Sequence, residues 1–433
     1  MGTKKRRGGA QEEDIITTEI PQDIFTNILC RLPVKSLLRF KCVCKSWYTL
    51  LNDRAFIKLH LNESMQSKDG FNFMFRNVKF FSVDYLLSSA SFSKAVEVDF
   101  PFKSPSETVA IALGSCHGIF LIGIYNPCQG PWVFYPKNQK KGPLTCSFVF
   151  MALCLWNPST KEYKKLPDTL TKFSRDRSRS YTSVYGFGYN SKIDDYKVMR
   201  IFYYYDVDGG VGGCKNCYCE SEVLLYSLQT DTCKRIQGDV PYYIHSPIQR
   251  KDVVRGTFVN GAIHWLGYHV IPDQFSTQIV SFDIANEEYK KIPQPDFDNT
   301  SSLVSIDLGV LQGGLCLYRK YRCKNKSYLD ILMMKEYGLK ESWEKLLTIS
   351  PFMEPDWAFN PLCITNKGEL IMQKRFTELL RYDPKHGCVI DIKREIYDFP
   401  GQTFEVESYI ASLVPLQSNM YVGQYNNYGC RTW

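Results

Sequence analysis

Histidine is scarce in this chain, six in 433 residues, and none stands where acid–base chemistry would need it. His117 and His264 sit in glycine-flanked apolar runs, and His60 ends a helical segment; each reads as a packed side chain. No Gly-x-x-x-x-Gly-Lys-Ser/Thr phosphate loop occurs, and Gly186-Phe187-Gly188 lacks the third glycine of a dinucleotide turn. A Gly-x-Ser-x-Gly nucleophile elbow is missing too. Asp206-Val207-Asp208-Gly209-Gly210 begins like a calcium loop, but Cys217 stands where the twelfth-position carboxylate belongs. These absences exclude the common catalytic classes and leave no cofactor to expect.

Long apolar runs are also lacking. Nothing approaches the roughly 20 residues that cross a bilayer as a helix. The first residues carry Lys4-Lys5-Arg6-Arg7 without the apolar stretch of a secretory signal. The 16 cysteines are spread along the chain, so a reducing cytosolic or nuclear compartment is expected. The sequons at Asn62, Asn299 and Asn325 are then silent. The basic tetrapeptide reads either as an import signal or as a solubilising tail.

What is abundant is aromatic: 28 Tyr and 27 Phe, 14% aromatic with Trp, which favours sheet over helix. The net charge of +8 is unevenly placed. Residues 1–19 balance four basic against four acidic side chains. Residues 20–61 hold seven basic and two acidic, a balance of +5, leaving +3 for the rest. Nucleic-acid binders carry a stripe along a recognition surface. An excess confined to one short segment suggests an acidic protein partner instead.

That segment reads IPQDIFTNILCRLPVKSLLRFKCVCKSWYTLLNDRAFIKLHL. Ile24, Ile28, Leu29 and Leu32 follow one helix face, and Pro33 stops that helix. Val34, Leu37, Leu38 and Phe40 predict a second helix, and Val43, Trp47, Leu50 and Leu51 a third. Some 40 residues are too few for a self-sufficient core, so their apolar faces need a partner. The segment resembles the F-box: Ile20-Pro21-Gln22-Asp23, the pair Ile28-Leu29, the hinge Leu32-Pro33, Leu37-Leu38, and Cys42-Val43-x-Lys45-x-Trp47. The resemblance implies docking on an acidic Skp-type adaptor that carries a cullin and a RING subunit. It implies contacts at Pro21, Ile28, Leu29, Leu32, Pro33, Leu37, Val43, Lys45 and Trp47.

Beyond residue 62 the chain repeats. Leu153–Pro167, Ser221–Ile236, Gln278–Pro295, Leu329–Ile349 and Glu378–Ile392 each read as a strand, a polar turn and a second strand. Between them lie the glycine-flanked runs Gly114–Gly123, Tyr185–Ile201 and Gly256–Gly267. Trp156, Tyr226, Phe282 and Tyr382 align at intervals of 70, 56 and 100, the last holding two steps. Steps near 50 residues suit four-stranded blades, six or seven of them, in a closed β-propeller. A sandwich or barrel pair satisfies the same spacing. Signatures such as Leu155-Trp156-Asn157-Pro158-Ser159-Thr160, Asn260-Gly261-Ala262-Ile263-His264-Trp265 and Glu407-Ser408-Tyr409-Ile410 resemble the F-box-associated, kelch-like domain of plant F-box proteins. The likeness is nearest to the S-locus F-box and S-locus F-box-like proteins.

The expected fold class is therefore α+β multidomain: a small helical F-box, then a large all-β domain. The expected divisions are a tail at 1–19, the F-box at 20–61, a linker with first strands at 62–109, the propeller-like domain at 110–415 and a tail at 416–433. The resemblance implies a non-catalytic ubiquitin-ligase adaptor whose β domain recruits a protein target. An S-RNase of self-incompatibility is the target the S-locus likeness suggests. A glycan-reading, lectin-like β domain is the alternative. Long polar loops suit target reading, which singles out Arg175, Arg177, Arg179, Tyr204, Tyr205, Tyr242 and Tyr243. Cys214, Cys217 and Cys219, with Cys233 downstream, have zinc-like spacing but only His245 nearby as a fourth ligand, so no metal is expected.

Overall fold

The computed structural model describes residues 21–66 and 71–416. Outside the described residues lie 1–20, 67–70 and 417–433, the longer internal segments 87–90, 103–107, 127–131, 134–145, 172–178, 207–218, 245–252, 298–301, 353–358, 393–395 and 397–402, and a few shorter gaps. The chain forms two compact units, Met1–Glu63 and Ser64–Trp433.

In the first unit four helices follow one another: α1 (Gln22–Leu29), α2 (Val34–Phe40), α3 (Lys45–Asn52) and α4 (Arg54–Gln66). Pro21 and Pro33 stand immediately before α1 and α2, with extended backbone that starts each helix. Helix α1 ends at Leu29, three residues short of the expected Leu32, because the chain turns at Cys30 to reach Pro33. Helix α4 was not separated in the sequence reading. Its start is set by Asp53, whose Oδ1 accepts the amides of Ala55 (2.9 Å) and Phe56 (3.0 Å). Leu29, Val34, Leu37, Leu51, Phe56, Ile57 and Leu61 form the small core.

The second unit is a six-bladed β-propeller. Blade one holds strands 71–76, 80–86 and 91–92, with 96–98 also on the second strand. Blade two holds 109–116, 119–125, 152–157 and 162–165; blade three 179–190, 195–206, 219–227 and 232–236. Blade four holds 257–259, 262–271, 274–283 and 288–292; blade five 302–311, 314–323, 326–334 and 343–352. Blade six holds 359–364, 370–374, 378–383 and 388–391. The last strand, 405–410, pairs antiparallel with 71–76 and supplies blade one with its innermost strand. The ring thus closes through backbone hydrogen bonds between its two ends, which removes the open sheet edge.

The core lies between the blades. Phe73, Val83, Ile371, Leu379 and Val406 seal blades six and one. Phe120, Trp156 and Tyr409 seal one and two, where Trp156 meets Phe80 and Phe100 at 5.2 Å each. Val184, Ile263, Trp265 and Phe282 do the same for blades three and four. Trp156, Tyr226, Phe282 and Tyr382 all fall on the third strand of their blades, each one residue before a turn. Two turn types recur on one face. His117-Gly118, Asn260-Gly261 and Gln312-Gly313 are two-residue turns with positive φ at both positions, between first and second strands. Five-residue turns begin at Asn157, Asn190, Asp283 and Asp383, whose Oδ1 accepts the amide two residues on, and end at a positive-φ residue.

After strand 405–410 the chain continues under blade two. Asn157 Nδ2 donates to the carbonyls of Ser412 (3.2 Å) and Val414 (2.9 Å), and Glu162 accepts the Leu416 amide (2.8 Å). Ser412, Leu413, Val414 and Leu416 are buried there. A short strand at 254–255, parallel to 179–190, brings Arg255 to Glu407 (3.0 Å) and Glu405 (3.2 Å), and Arg76 reaches Glu405 (3.1 Å). Burial would raise the Glu405 carboxyl, but the two guanidiniums outweigh it and hold it below its ordinary range.

Candidate functional site

Two surfaces concern function, one on each unit. On the helical unit the apolar residues divide into two sets. Leu29 and Leu37 are enclosed, with Leu37 at 0% exposure. Ile24, Ile28 and Val43 stand 54%, 51% and 61% exposed. Pro21, Pro33 and Lys45 are exposed as well, and Leu32 and Trp47 are half-buried. The Trp47 ring sits against Phe25 (4.9 Å) and Phe40 (5.2 Å), which ties α1, α2 and α3 together from the edge of the core. Of the nine residues singled out from the sequence, Leu29 and Leu37 are thus packing residues and the other seven reach the surface in whole or part. Periodicity finds an apolar face but does not say which half of it the other helices will cover.

A residue that sequence reasoning set aside holds the hinge. His60, 2% exposed on α4, has Nε2 at 2.9 Å from the Leu32 carbonyl. A carbonyl only accepts, so Nε2 carries the proton and donates. Nδ1 is buried without a partner. Burial lowers the imidazole pKa below 6.5, so the ring is neutral at pH 7. The hydrogen bond spans 28 positions of sequence, which is why spacing alone could not reveal it.

On the propeller, strand alternation sends the first-to-second-strand and third-to-fourth-strand turns to one face. The strand ends that lead into the second-to-third-strand and blade-to-blade connections point to the other, and 172–178, 207–218 and 245–252 lie outside the described residues. Strand 195–206 climbs to that loop face, carrying Tyr204 to its upper end. The Tyr203 hydroxyl donates to the Tyr242 carbonyl (2.8 Å), and Tyr204 donates to Glu222 (3.1 Å). Lys291 Nζ lies 5.5 Å from the Tyr242 ring. Arg179 and Tyr205 share this end by register, opposite Asp206 and Ser180. Arg175, Arg177 and Tyr243 lie outside the described residues, as do Cys214 and Cys217. Cys219 opens strand 219–227 and Cys233 is half-buried on 232–236. Among the described residues no cluster of His, Cys, Asp and Glu is placed to hold a metal ion, and no helix is long and apolar enough to cross a membrane.

Two histidines, His117 half-buried and His264 buried, join neighbouring blades. His117 Nδ1 meets the Tyr196 hydroxyl at 3.0 Å, and His264 Nε2 meets the Tyr337 hydroxyl at 2.7 Å. Burial holds both imidazoles down at about 4. Each links one blade to the next as a strut.

Known proteins share both units. The F-box domain matches residues 18–59, and the F-box associated beta propeller domain matches 141–416, more than half of the chain. The F-box protein CPR1 of Arabidopsis thaliana is 29% identical over 410 residues, covering 91% of this chain and 88% of its own. An F-box/kelch-repeat protein of the same plant is 26% identical over 348 residues, covering 80% and 84%. A solved ulvan lyase covers 80% of this chain and 90% of its own at 10% identity and a TM-score of 0.34, too slight a likeness to bear on activity. With the helical unit, the closed six-bladed ring and both matches together, the chain belongs to the F-box proteins that carry an F-box associated β-propeller domain.

Proposed function

We propose that the chain is the substrate receptor of a Skp–cullin–F-box ubiquitin ligase, itself without catalytic residues. The helical unit docks on a Skp-type adaptor, and the propeller holds a protein target near the charged ubiquitin carrier. Catalysis then belongs to other subunits, and the receptor acts by raising the local concentration of target lysines.

The observation that carries this reading is the exposed apolar set Ile24, Ile28 and Val43 in a unit whose core is already filled by Leu29, Leu37 and Leu51. Such side chains in water mark a docking surface. Six of the seven basic residues of 20–61 are exposed on the same unit: Arg31, Lys35, Arg39, Lys45, Arg54 and Lys58. That field suits an acidic partner. The upper end of blade three, with Tyr204 and Tyr242, supports a protein target, since rigid Tyr side chains on a loop face give contact area at low entropic cost. The S-RNase reading has only the S-locus resemblance behind it, and no described feature favours the glycan reading.

Co-expression with a plant Skp adaptor tests the reading. Wild type should retain the adaptor in a pull-down, and Ile28→Asp/Val43→Asp should lose it while the protein stays soluble and folded. Failure of wild type to retain any adaptor would sink the ligase role.

A further inference from the structure

We propose that the hairpin joining the second and third strands of blade five is a docking site for an acidic segment of a protein target. This deepens the receptor reading by naming the chemistry that the propeller recognises. Between Arg319 and Lys326 the chain carries five basic side chains (Arg319, Lys320, Arg322, Lys324, Lys326) and no acidic one. The run turns at Lys324, which takes a positive φ of 50° between strands 314–323 and 326–334.

Strand lengths raise this hairpin above blade six and level with blade four, whose second strand, Ala262–Ile271, also has 10 residues. Counted from the tight-turn face, the second strand of blade five rises from Gly314 to Cys323, and that of neighbouring blade six only from Leu370 to Lys374. Five further residues at about 3.4 Å each lift the tip roughly 17 Å higher on the loop face. Aromatic contacts brace the two strands. Tyr321 and Tyr328 stack across it at 5.3 Å and 14°. The Arg319 guanidinium lies 4.6 Å from both the Phe297 and Tyr321 rings.

Nearby acids serve other groups. Asp307 lies 3.8 Å from Lys320, and Asp330 is held by Lys345 (3.2 Å) and Thr348 (2.6 Å). Arg322, Lys324 and Lys326 are exposed, and none of the three forms an ion pair among the described residues. In register Arg322 faces Ser327 and Lys326 faces Cys323, so the two charges sit on opposite faces of the ribbon with Lys324 at its tip. A single exposed pair contributes little. Three exposed cations around one turn sum into a field that steers and retains a segment bearing several carboxylates or phosphates. Single-stranded nucleic acid fits less well, because base stacking needs free aromatic faces. Here Tyr321 and Tyr328 cover each other, and Arg319 takes a further face of Tyr321.

The test uses the full-length protein and a fluorescein-labelled Glu/Ser peptide, with a Gln/Ser peptide and an oligouridylate as rivals, read by fluorescence anisotropy. Arg322→Glu/Lys324→Glu/Lys326→Glu is compared with Lys161→Glu/Lys192→Glu/Lys385→Glu, which makes the same charge change at turns on the opposite face. The expected result is a loss of at least about tenfold in Glu/Ser affinity for the hairpin variant, against less than about twofold for the control. Equal losses in both variants would reduce the effect to net charge and overturn the proposal. So would absence of peptide binding by wild type, or tighter hairpin-dependent binding of oligouridylate. Adaptor retention by the hairpin variant is measured alongside. Its failure in wild type would count against the ligase role and leave the peptide result standing.

Discussion

The helical unit and the propeller handle apolar side chains in opposite ways. In the propeller the large ones are enclosed between blades: Trp156, Phe120, Tyr226 and Phe282 are all at 0% exposure. In the helical unit Ile24, Ile28 and Val43 stay in water although neighbours one position away, such as Leu29, are buried. The difference follows from size and closure. Six blades give every sheet face another face to cover it, and pairing 405–410 with 71–76 leaves no blade unpartnered. Four helices of 7 to 13 residues have too little interior for all their apolar positions. One unit is therefore finished by folding, and the other keeps apolar side chains exposed, which the proposed function assigns to binding.

Mutations that sharpen this contrast should separate stability from binding. The largest effect is expected in adaptor binding: Ile28→Asp/Val43→Asp should weaken it at least about a hundredfold, as loss of a central apolar contact does. The unfolding midpoint in urea should not move, because both side chains are exposed already. A parallel drop in stability would show that these side chains belong to the fold. Trp156→Ala is the converse case. It should cost about 3–5 kcal/mol of propeller stability, read from urea unfolding of the whole protein, with adaptor binding by the surviving folded fraction unchanged.

Acid should weaken the propeller next. His117 and His264 titrate at about 4 in the fold and near 6.5 when unfolded. Their stabilising contribution is complete above pH 6.5 and is lost as pH falls towards 4. Two extra protons taken up on unfolding give a slope of up to about 2.7 kcal/mol per pH unit, measured by urea midpoints across that window. Phe at both positions should flatten it. A smaller loss is expected from Asn157→Ala, which frees the carbonyls of Ser412 and Val414 and the Ser159 amide. The expected cost is about 1–3 kcal/mol, with faster amide exchange around 412–416 as the local signature. His60→Phe keeps the ring volume but removes the donor to Leu32. It should weaken adaptor binding about tenfold, and His60→Gln, whose amide reaches to the same place, should restore most of it.

Much of this architecture could be read along the chain because its signals are local. Pro21 and Pro33 mark helix starts through their fixed φ, and the Asn or Asp that opens a turn announces itself by type. The third-strand aromatics recur because each blade poses the same packing problem. The candidate sites were less legible. Helix α4 was missed although the polar run Asn52-Asp53-Arg54 interrupts the apolar pattern and Asp53 is a capping residue by type. The basic run at Arg319–Lys326 was hidden by averaging charge over the whole second unit.

Composition, proline placement and the turn residues determined two units, four-stranded repeats and the polar turns between them, since each depends on neighbours within a few positions. Only the tertiary structure decided that the repeats number six, that strand 405–410 closes the ring, and which apolar helix residues remain outside. Those outcomes depend on pairs hundreds of residues apart, such as Phe73 with Ser408, and on how much surface each unit has left to cover. Spacing along a chain carries no record of either.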